Sequence, residues 1–185
     1  MDKNRKARIV AIVGMCGSGK SVAADFFEKR GWSRVYFGGV TMRELEKRGL
    51  EKNEKNERAV REELRREYGM GAFAKLLLPD IASAAEKGDV VLDGLYSWSE
   101  YKELKPVFGE RLTLLAVTVP RAIRYSRLSG RDTRPLTREE AEARDKAEIE
   151  NMEKGGPIAA ADLFADNSGT IEDLYRQLET LFFKK

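Results

Sequence analysis

Apolar residues follow two rhythms along this chain. Arg8-Ile9-Val10-Ala11-Ile12-Val13 is a nearly unbroken, β-branched run that stops at Gly14, the pattern of a strand covered on both faces in a parallel sheet. Four further short runs predict strands: Val35-Tyr36-Phe37 ending in Gly38-Gly39, Val90-Val91-Leu92 in Asp93-Gly94, Leu112 to Val119 in Pro120, and about Leu163 to Asp166 in Asn167-Ser168-Gly169. Between them the rhythm is helical. Ser21 to Arg30 places Val22, Phe26 and Phe27 on one side and stops at Gly31, and residues 41–87 read as helix broken at Gly49 and Gly69 to Gly71, with Pro79 a third candidate break. The charged run Glu51 to Glu67 keeps Ala59, Val60, Leu64 and Tyr68 at helical spacing, so it predicts a solvated amphipathic helix. Pro120 opens a helix to about Ser129, and the capping-box sequence Thr137-Arg138-Glu139-Glu140 opens another that ends near Gly155-Gly156. The last helix carries the stripe Leu174, Leu178, Leu181 and Phe182.

Strands alternating with helices predict an α/β fold, a parallel sheet between two helical layers, with ligands at the carboxyl ends of the strands. With 185 residues, 42% of them hydrophobic, the expectation is a single domain over 1–185. Lys and Arg number 34 against 31 Asp and Glu, and a net charge of +3 is too balanced for a nucleic-acid coat or a membrane-surface binder. Any anionic ligand must then be caught locally. The lack of His excludes His-based acid/base chemistry and His-ligated metals, and the single Cys16 excludes an internal disulfide framework. No apolar run reaches the length of a membrane span, and the polar start Met1 to Lys6 lacks a signal-peptide pattern, which points to the cytoplasm.

Gly14-Met15-Cys16-Gly17-Ser18-Gly19-Lys20-Ser21 fits G-x-x-x-x-G-K-[ST] and stands between a predicted strand and a predicted helix. Glycines there let successive backbone N–H groups turn toward phosphate oxygens, and the following helix, entered through Ser21 and Val22, adds the positive end of its dipole. Lys20 reaches the β and γ phosphates, and the Ser21 hydroxyl ligates Mg²⁺. The predicted cofactors are therefore ATP and Mg²⁺ in a P-loop NTPase fold. A dinucleotide fingerprint does not fit, because Val22 stands at the last glycine position after Gly17-Ser18-Gly19. Cys16 reads as a small residue that fits the loop.

The guanine-recognition sequence Asn-Lys-x-Asp is absent, whereas Arg124, Arg127, Arg131, Arg134 and Arg138 form a dense series after the fourth strand. A mobile cationic lid, about 127–138, would exclude water and neutralise charge during phosphoryl transfer, so Arg127, Arg131 and Arg134 are candidate catalytic residues. Asp93 closes the third strand, placed to hold the Mg²⁺ water shell or to accept an acceptor's proton. Tyr96 and Trp98 just beyond it are candidates for stacking on an acceptor base. Arg144, Asp145 and Glu148, one helical turn apart, predict an ion-pair set that anchors the lid.

The order of the P-loop, Arg43, Val-Val-Leu-Asp-Gly, Arg-Leu-Ser-Gly-Arg and Ala161-Asp162 followed by Asn167-Ser168-Gly169-Thr170 resembles the nucleoside monophosphate kinase and dephospho-coenzyme A kinase superfamily over nearly the whole chain. Asp93-Gly94-Leu95-Tyr96-Ser97-Trp98, Arg134-Pro135-Leu136-Thr137, Arg144-Asp145 and Gly155 to Ala159 make it most similar to adenylate-kinase-like or dephospho-coenzyme A kinase-like proteins of archaea and some bacteria. The resemblance implies five parallel strands, a helical acceptor-binding insertion at about 39–88 and an Arg lid. It implies that Arg43 binds the acceptor phosphate, since Gly39 and Arg43 match a Gly-Asp-x-x-Arg motif in which Val40 replaces the Asp. Strand two ends in Tyr36-Phe37-Gly38-Gly39, where dephospho-coenzyme A kinases carry an acidic pair, so Asp93 is left as the base candidate. The resemblance also implies that Asn167 to Gly169 hold the adenine ring largely through backbone atoms. The implied activity is ATP·Mg-dependent transfer to a small acceptor, a nucleoside monophosphate or a dephospho-coenzyme A-like molecule, by a monomer or homodimer. The alternative is an NTP-binding regulatory protein with slow hydrolysis and no acceptor.

Overall fold

A computed structural model describes residues 5–184; the start of the chain, on which the signal-peptide reading rests, lies largely outside the described residues. Five strands, β1 (Ile9–Val13), β2 (Ser33–Tyr36), β3 (Val90–Asp93), β4 (Leu112–Thr118) and β5 (Leu163–Asp166), form one sheet in the order β2-β3-β1-β4-β5. Every pairing is parallel, and Ile12 lies opposite Asp93, which lies opposite Tyr36, so three strand ends reach one edge together. The predicted three-layer α/β/α arrangement and the five-stranded sheet are both observed.

Side chains alternate across β1 and so supply two cores. Ile9, Ala11 and Val13 face α2 (Gly39–Lys47), α3 (Glu54–Tyr68), α4 (Ala72–Lys87) and α5 (Trp98–Phe108). Val10 and Ile12 face α1 (Lys20–Glu28) and α9 (Ile171–Phe182), where Phe26, Phe27 and Trp32 pack with Leu174 and Leu178. Covered on both faces, β1 and β3 have no exposed residue, which is why their sequences run apolar without alternation.

The helical stretch between β2 and β3 breaks at Gly49 and Gly69, both with positive φ, as the sequence predicts. Pro79 does not break it: α4 continues through that residue. In α3 the buried positions are Glu57, Val60 and Leu64, while Ala59 and Tyr68 face solvent, and in α9 Leu181 is likewise exposed. The spacing predicts one helix from Thr137 to near Gly155-Gly156; instead α7 (Arg138–Glu150) stops earlier and a short α8 (Gly155–Ala159) follows, with α6 (Arg121–Ser129) before them. Helix α5 was not predicted, although Ser97 and Glu100 carry a capping-box spacing. Ser97 Oγ accepts the Glu100 N–H at 3.0 Å, and Glu100 Oε2 accepts the N–H groups of Tyr96 and Ser97 at 2.7 and 3.2 Å. Among the described residues no helix is long and apolar enough to cross a membrane.

Glu100 is fully buried, and that burial pushes its carboxyl up from 4.5 to about 7 against the pull of those two amides. A carboxyl whose pKa rises on folding stabilises the protein most below its unfolded pKa and loses that contribution as pH rises through the folded one. Glu100→Gln keeps an acceptor for both amides and does not ionise. Thermal melting of the wild type is therefore expected to fall between pH 4.5 and about 7 by a component that Glu100→Gln lacks; equal slopes in both proteins would show that Glu100 does not titrate with folding.

Candidate active site

The site starts where β1 ends. Gly14 has φ 149°, and a Cβ there would come within 2.5 Å of the Val117 carbonyl oxygen on β4, so only glycine lets the chain leave the sheet this close to its neighbour. Gly19, with φ 92°, is the N-cap of α1 and makes no side-chain cap, which leaves the first-turn N–H groups directed into the loop. Lys20 Nζ donates to the carbonyls of Gly14 and Met15 at 2.8 and 3.1 Å, folding its ammonium over the loop. Ser18 is buried inside, and its Oγ has no partner among the described residues. A concave set of glycine backbone, free helix-end amides and an ammonium fits a polyphosphate.

Cys16 is held from both sides. Glu148 Oε2 on α7 accepts the Cys16 N–H at 3.0 Å, and Arg124 Nη1 on α6 donates to the Cys16 carbonyl at 3.0 Å. Arg124 also grips Asp145 with both Nη atoms, at 2.8 and 2.6 Å, and Tyr125 donates to the same carboxylate. Lys154 Nζ lies 2.8 Å from Glu148 Oε2 with its side chain only 1% exposed, and 4.9 Å from the centroid of the Tyr96 ring. The predicted set of Arg144, Asp145 and Glu148 is thus divided: Arg144 pairs with Glu148, but Asp145 pairs with Arg124. Its two carboxylates brace the loop. Burial pulls Glu148 up, but Lys154, Lys20 and the Cys16 N–H together outweigh it, so Glu148 sits below the ordinary carboxylate range. Burial, then the Lys154 ammonium, lowers Lys20 from 10.5 to about 8, with Glu148 and Asp93 offsetting part of the fall.

Asp93 is buried at the end of β3, and its Oδ2 accepts Arg34 Nη2 at 2.5 Å and Nε at 3.2 Å. Arg34 of β2 also reaches Asp25 and Glu28 on α1. The sequence reading missed this guanidinium because it lies 59 positions away on a neighbouring strand. Both of these bonds fall on one oxygen, so Oδ1 is spared by Arg34.

Beside the loop a cavity of about 520 Å³ opens between α2, α3 and α7, with Tyr36, Tyr96 and Glu148 among its walls. Arg134 lies on its rim, 3.2 Å from Glu54 and 3.4 Å from Glu57. Arg127 carries a buried Nη1 without a partner, and Arg131 is exposed. Three residues expected at the acceptor, Arg43, Asp93 and Trp98, are not among those lining this cavity, Asp93 lying buried at the end of β3. Arg43 is exposed and paired with Asp80 of α4 at 2.9 Å, and Trp98 packs on Tyr101 with ring centroids 5.1 Å apart, where a Cβ on Gly156 would come within 2.9 Å of it. Asn167 turns inward as well: its Nδ2 donates to the Ser18 carbonyl at 2.8 Å, bracing the loop with its side chain, while Gly169 lies against Asp173 of the α9 capping box.

A family model described as AAA domain matches residues 10–152. A UPF0200 protein of Thermococcus gammatolerans is 38% identical over 180 residues, covering 95% of this chain and 94% of that protein. The chain belongs to the AAA domain and UPF0200 families. The UPF0200 fold superposes on TT1252 from Thermus thermophilus with a TM-score of 0.67 and 23% identity, over 96% of this chain and 97% of that one. Shikimate kinase from Acinetobacter baumannii in complex with shikimate superposes with a TM-score of 0.60 and 18% identity, over 95% and 92%. At such identities the likeness is one of fold, a P-loop kinase-like α/β architecture, and it carries no acceptor across.

In this UPF0200 chain the pair of Glu148 and Lys154 is buried, so removing one member alone strands the other charge. Glu148→Leu is expected to cost about 3–5 kcal/mol of unfolding free energy, and Lys154→Met added to it should return most of that. Urea unfolding of the two variants decides: an additive loss in the double variant would mean that the contact does not couple them.

Proposed function

We propose that this protein transfers the γ-phosphoryl group of ATP·Mg to a small acceptor seated in the cavity beside the loop. One observation carries the reading: Glu148 lies both on the cavity wall and on the Cys16 amide of the phosphate loop, so an acceptor in the cavity is next to the end of a bound triphosphate. The kinase-like fold supports it.

Gly14 to Ser21 with the Val22 turn of α1 would hold the phosphates, and Ser21 together with Asp93, through water, would hold Mg²⁺. When bound there, Mg²⁺ would supply positive charge that offsets the charge developing on the transferred phosphate. Lys20 orients the transferred group. An acceptor oxygen forms the new bond to phosphorus as the bond to the ADP oxygen breaks, and where that acceptor is a hydroxyl its proton passes to Asp93 Oδ1. Arg34 holds Asp93 in place for this through the other oxygen. Arg127, Arg131 and Arg134 would close over the phosphates, Arg134 leaving Glu54 and Glu57 to do so. Tyr96 would border the acceptor, and Asn167 and Gly169 would border the nucleotide base. A nucleoside monophosphate or dephospho-coenzyme A-like acceptor follows from the resemblance, and a cytoplasmic enzyme, monomer or homodimer, is the setting that suits it.

A second reading is favoured by Val40 at the acceptor-motif acid position and by Glu148 occupying a loop amide: a nucleotide-binding regulator with slow hydrolysis. The two part in an assay of ADP release from ATP·Mg with AMP, other nucleoside monophosphates and dephospho-coenzyme A, each against an acceptor-free control. Stimulation by at least one is expected. Asp93→Asn should then lower kcat by about 10² or more with little change in nucleotide affinity. A near-normal rate would make Asp93 a structural partner of Arg34, and no stimulation by any acceptor would favour the regulator.

The lowered Lys20 pKa supplies a test of phosphate binding that needs no acceptor. Phosphate binds the protonated ammonium, so affinity for ATP·Mg should be level below the free-state value of about 8 and weaken as pH rises through it, by at most about tenfold per pH unit. Calorimetric titration across this range reads it, and Lys20→Ala should abolish the slope. A wild-type slope that survives in Lys20→Ala would assign it to another group.

A further inference from the structure

Resting on the reading of the cavity as the acceptor site, we propose that Arg65 is its anion seat and that the acceptor carries a phosphate or carboxylate, lodged on Arg65 beside the Thr41 hydroxyl.

The argument is one of elimination among the described residues. Five arginines and four glutamates line the cavity. Arg58 holds Glu62, Arg61 and Arg134 share Glu54 and Glu57, and Arg144 holds Glu148. All four carboxylates are thereby committed, and Arg65 is the arginine left without one. Its Nε is buried with no hydrogen-bond partner, and its guanidinium lies 5.2 Å from the centroid of the Phe73 ring, on an apolar floor. Thr41, also on the cavity wall and 2% exposed, has a buried Oγ1 with no partner.

A partly buried guanidinium whose Nε is out of water and lacks an anion is costly, and burial already pulls the Arg65 pKa down. The carboxylates that oppose this, Glu100 and then Glu62, make no ion pair with Arg65: Glu100 gives its Oε2 to the amides of Tyr96 and Ser97, and Glu62 is held by Arg58. A fork of N–H donors facing a cavity, unneutralised and partly desolvated, is suited to a planar carboxylate or to two oxygens of a phosphate. The hydroxyl of Thr41 adds a donor at the same wall. Arg43, the motif arginine, lies outside this cavity and is already paired.

The test is binding with the loop filled. With saturating ADP·Mg present, calorimetry would compare two matched pairs: AMP with adenosine for the phosphate, and shikimate with inositol for the carboxylate. At least one anionic probe is expected to bind tenfold or more tightly than its neutral partner, and the pair that shows this names the group. Arg65→Met should remove that tenfold preference, and Arg65→Lys, which keeps the charge but not the fork, should retain part of it; melting curves confirm that each variant is folded. Neutral and anionic members binding alike, no binding by either anion, or an undiminished preference in folded Arg65→Met would each overturn the proposal. The outcomes separate from those of the kinase reading. Anion binding through Arg65 without acceptor-stimulated ADP release sinks only the kinase reading, and stimulated release with neutral acceptors alone sinks only the anion seat.

Discussion

The carboxylate of Glu148 is the contact on which the geometry of the site depends. Its Oε2 takes the Cys16 N–H and lies 2.8 Å from the Lys154 ammonium, while its Oε1 takes Arg144, so one residue of α7 joins the phosphate loop, the cavity wall and the approach to α8. A buried carboxylate this heavily engaged stays ionised, and the buried lysine beside it stays bound, because separating them would leave the Lys154 charge uncompensated in the interior. The loop then has its Cys16 N–H fixed by α7 and its Cys16 carbonyl fixed by Arg124 of α6. Both helices follow β4, so two successive elements of the chain converge on one residue of the loop.

The two lysines have different duties. Lys20 is bound only to carbonyl oxygens, and its charge is weakened by burial and by Lys154. Lys154 has a carboxylate at hydrogen-bonding distance and an aromatic face beneath it. An arriving phosphate would relieve the first and gain little from the second. Of the two lysines, the one without a counter-ion is therefore the one the P-loop pattern assigns to phosphate.

Which parts could be read from residues alone follows from how local their causes are. The strands were legible because a strand buried on both faces must be apolar along its length, and Gly14 to Ser21 were legible because their spacing is dictated by backbone conformation within eight residues. Helix α5 is signalled locally by the capping-box spacing of Ser97 and Glu100, residues that stand among the site candidates Asp93, Tyr96 and Trp98. The partners of that chemistry were not legible. Arg34 reaches Asp93 from another strand, Glu148 reaches Cys16 across 132 positions, and Asn167 reaches Ser18 across 149, and no periodicity within one element encodes such meetings. Arg144, Asp145 and Glu148 were grouped by helical spacing, yet spacing cannot say that Asp145 faces α6 while Glu148 faces the loop.

The same limit applies to charge. A net of +3 spread over 65 charged residues says little about any one place, and exposed pairs such as Arg58 with Glu62 are screened by solvent and contribute little to stability. What differs between places is whether a charge has been answered. On the cavity wall the arginines exceed the glutamates by one, and since each glutamate is taken, the excess falls on a single, partly buried side chain. A balanced composition can therefore still concentrate one unanswered positive charge, and it is burial at Arg65 that turns that surplus from a property of the surface into a preference for a ligand.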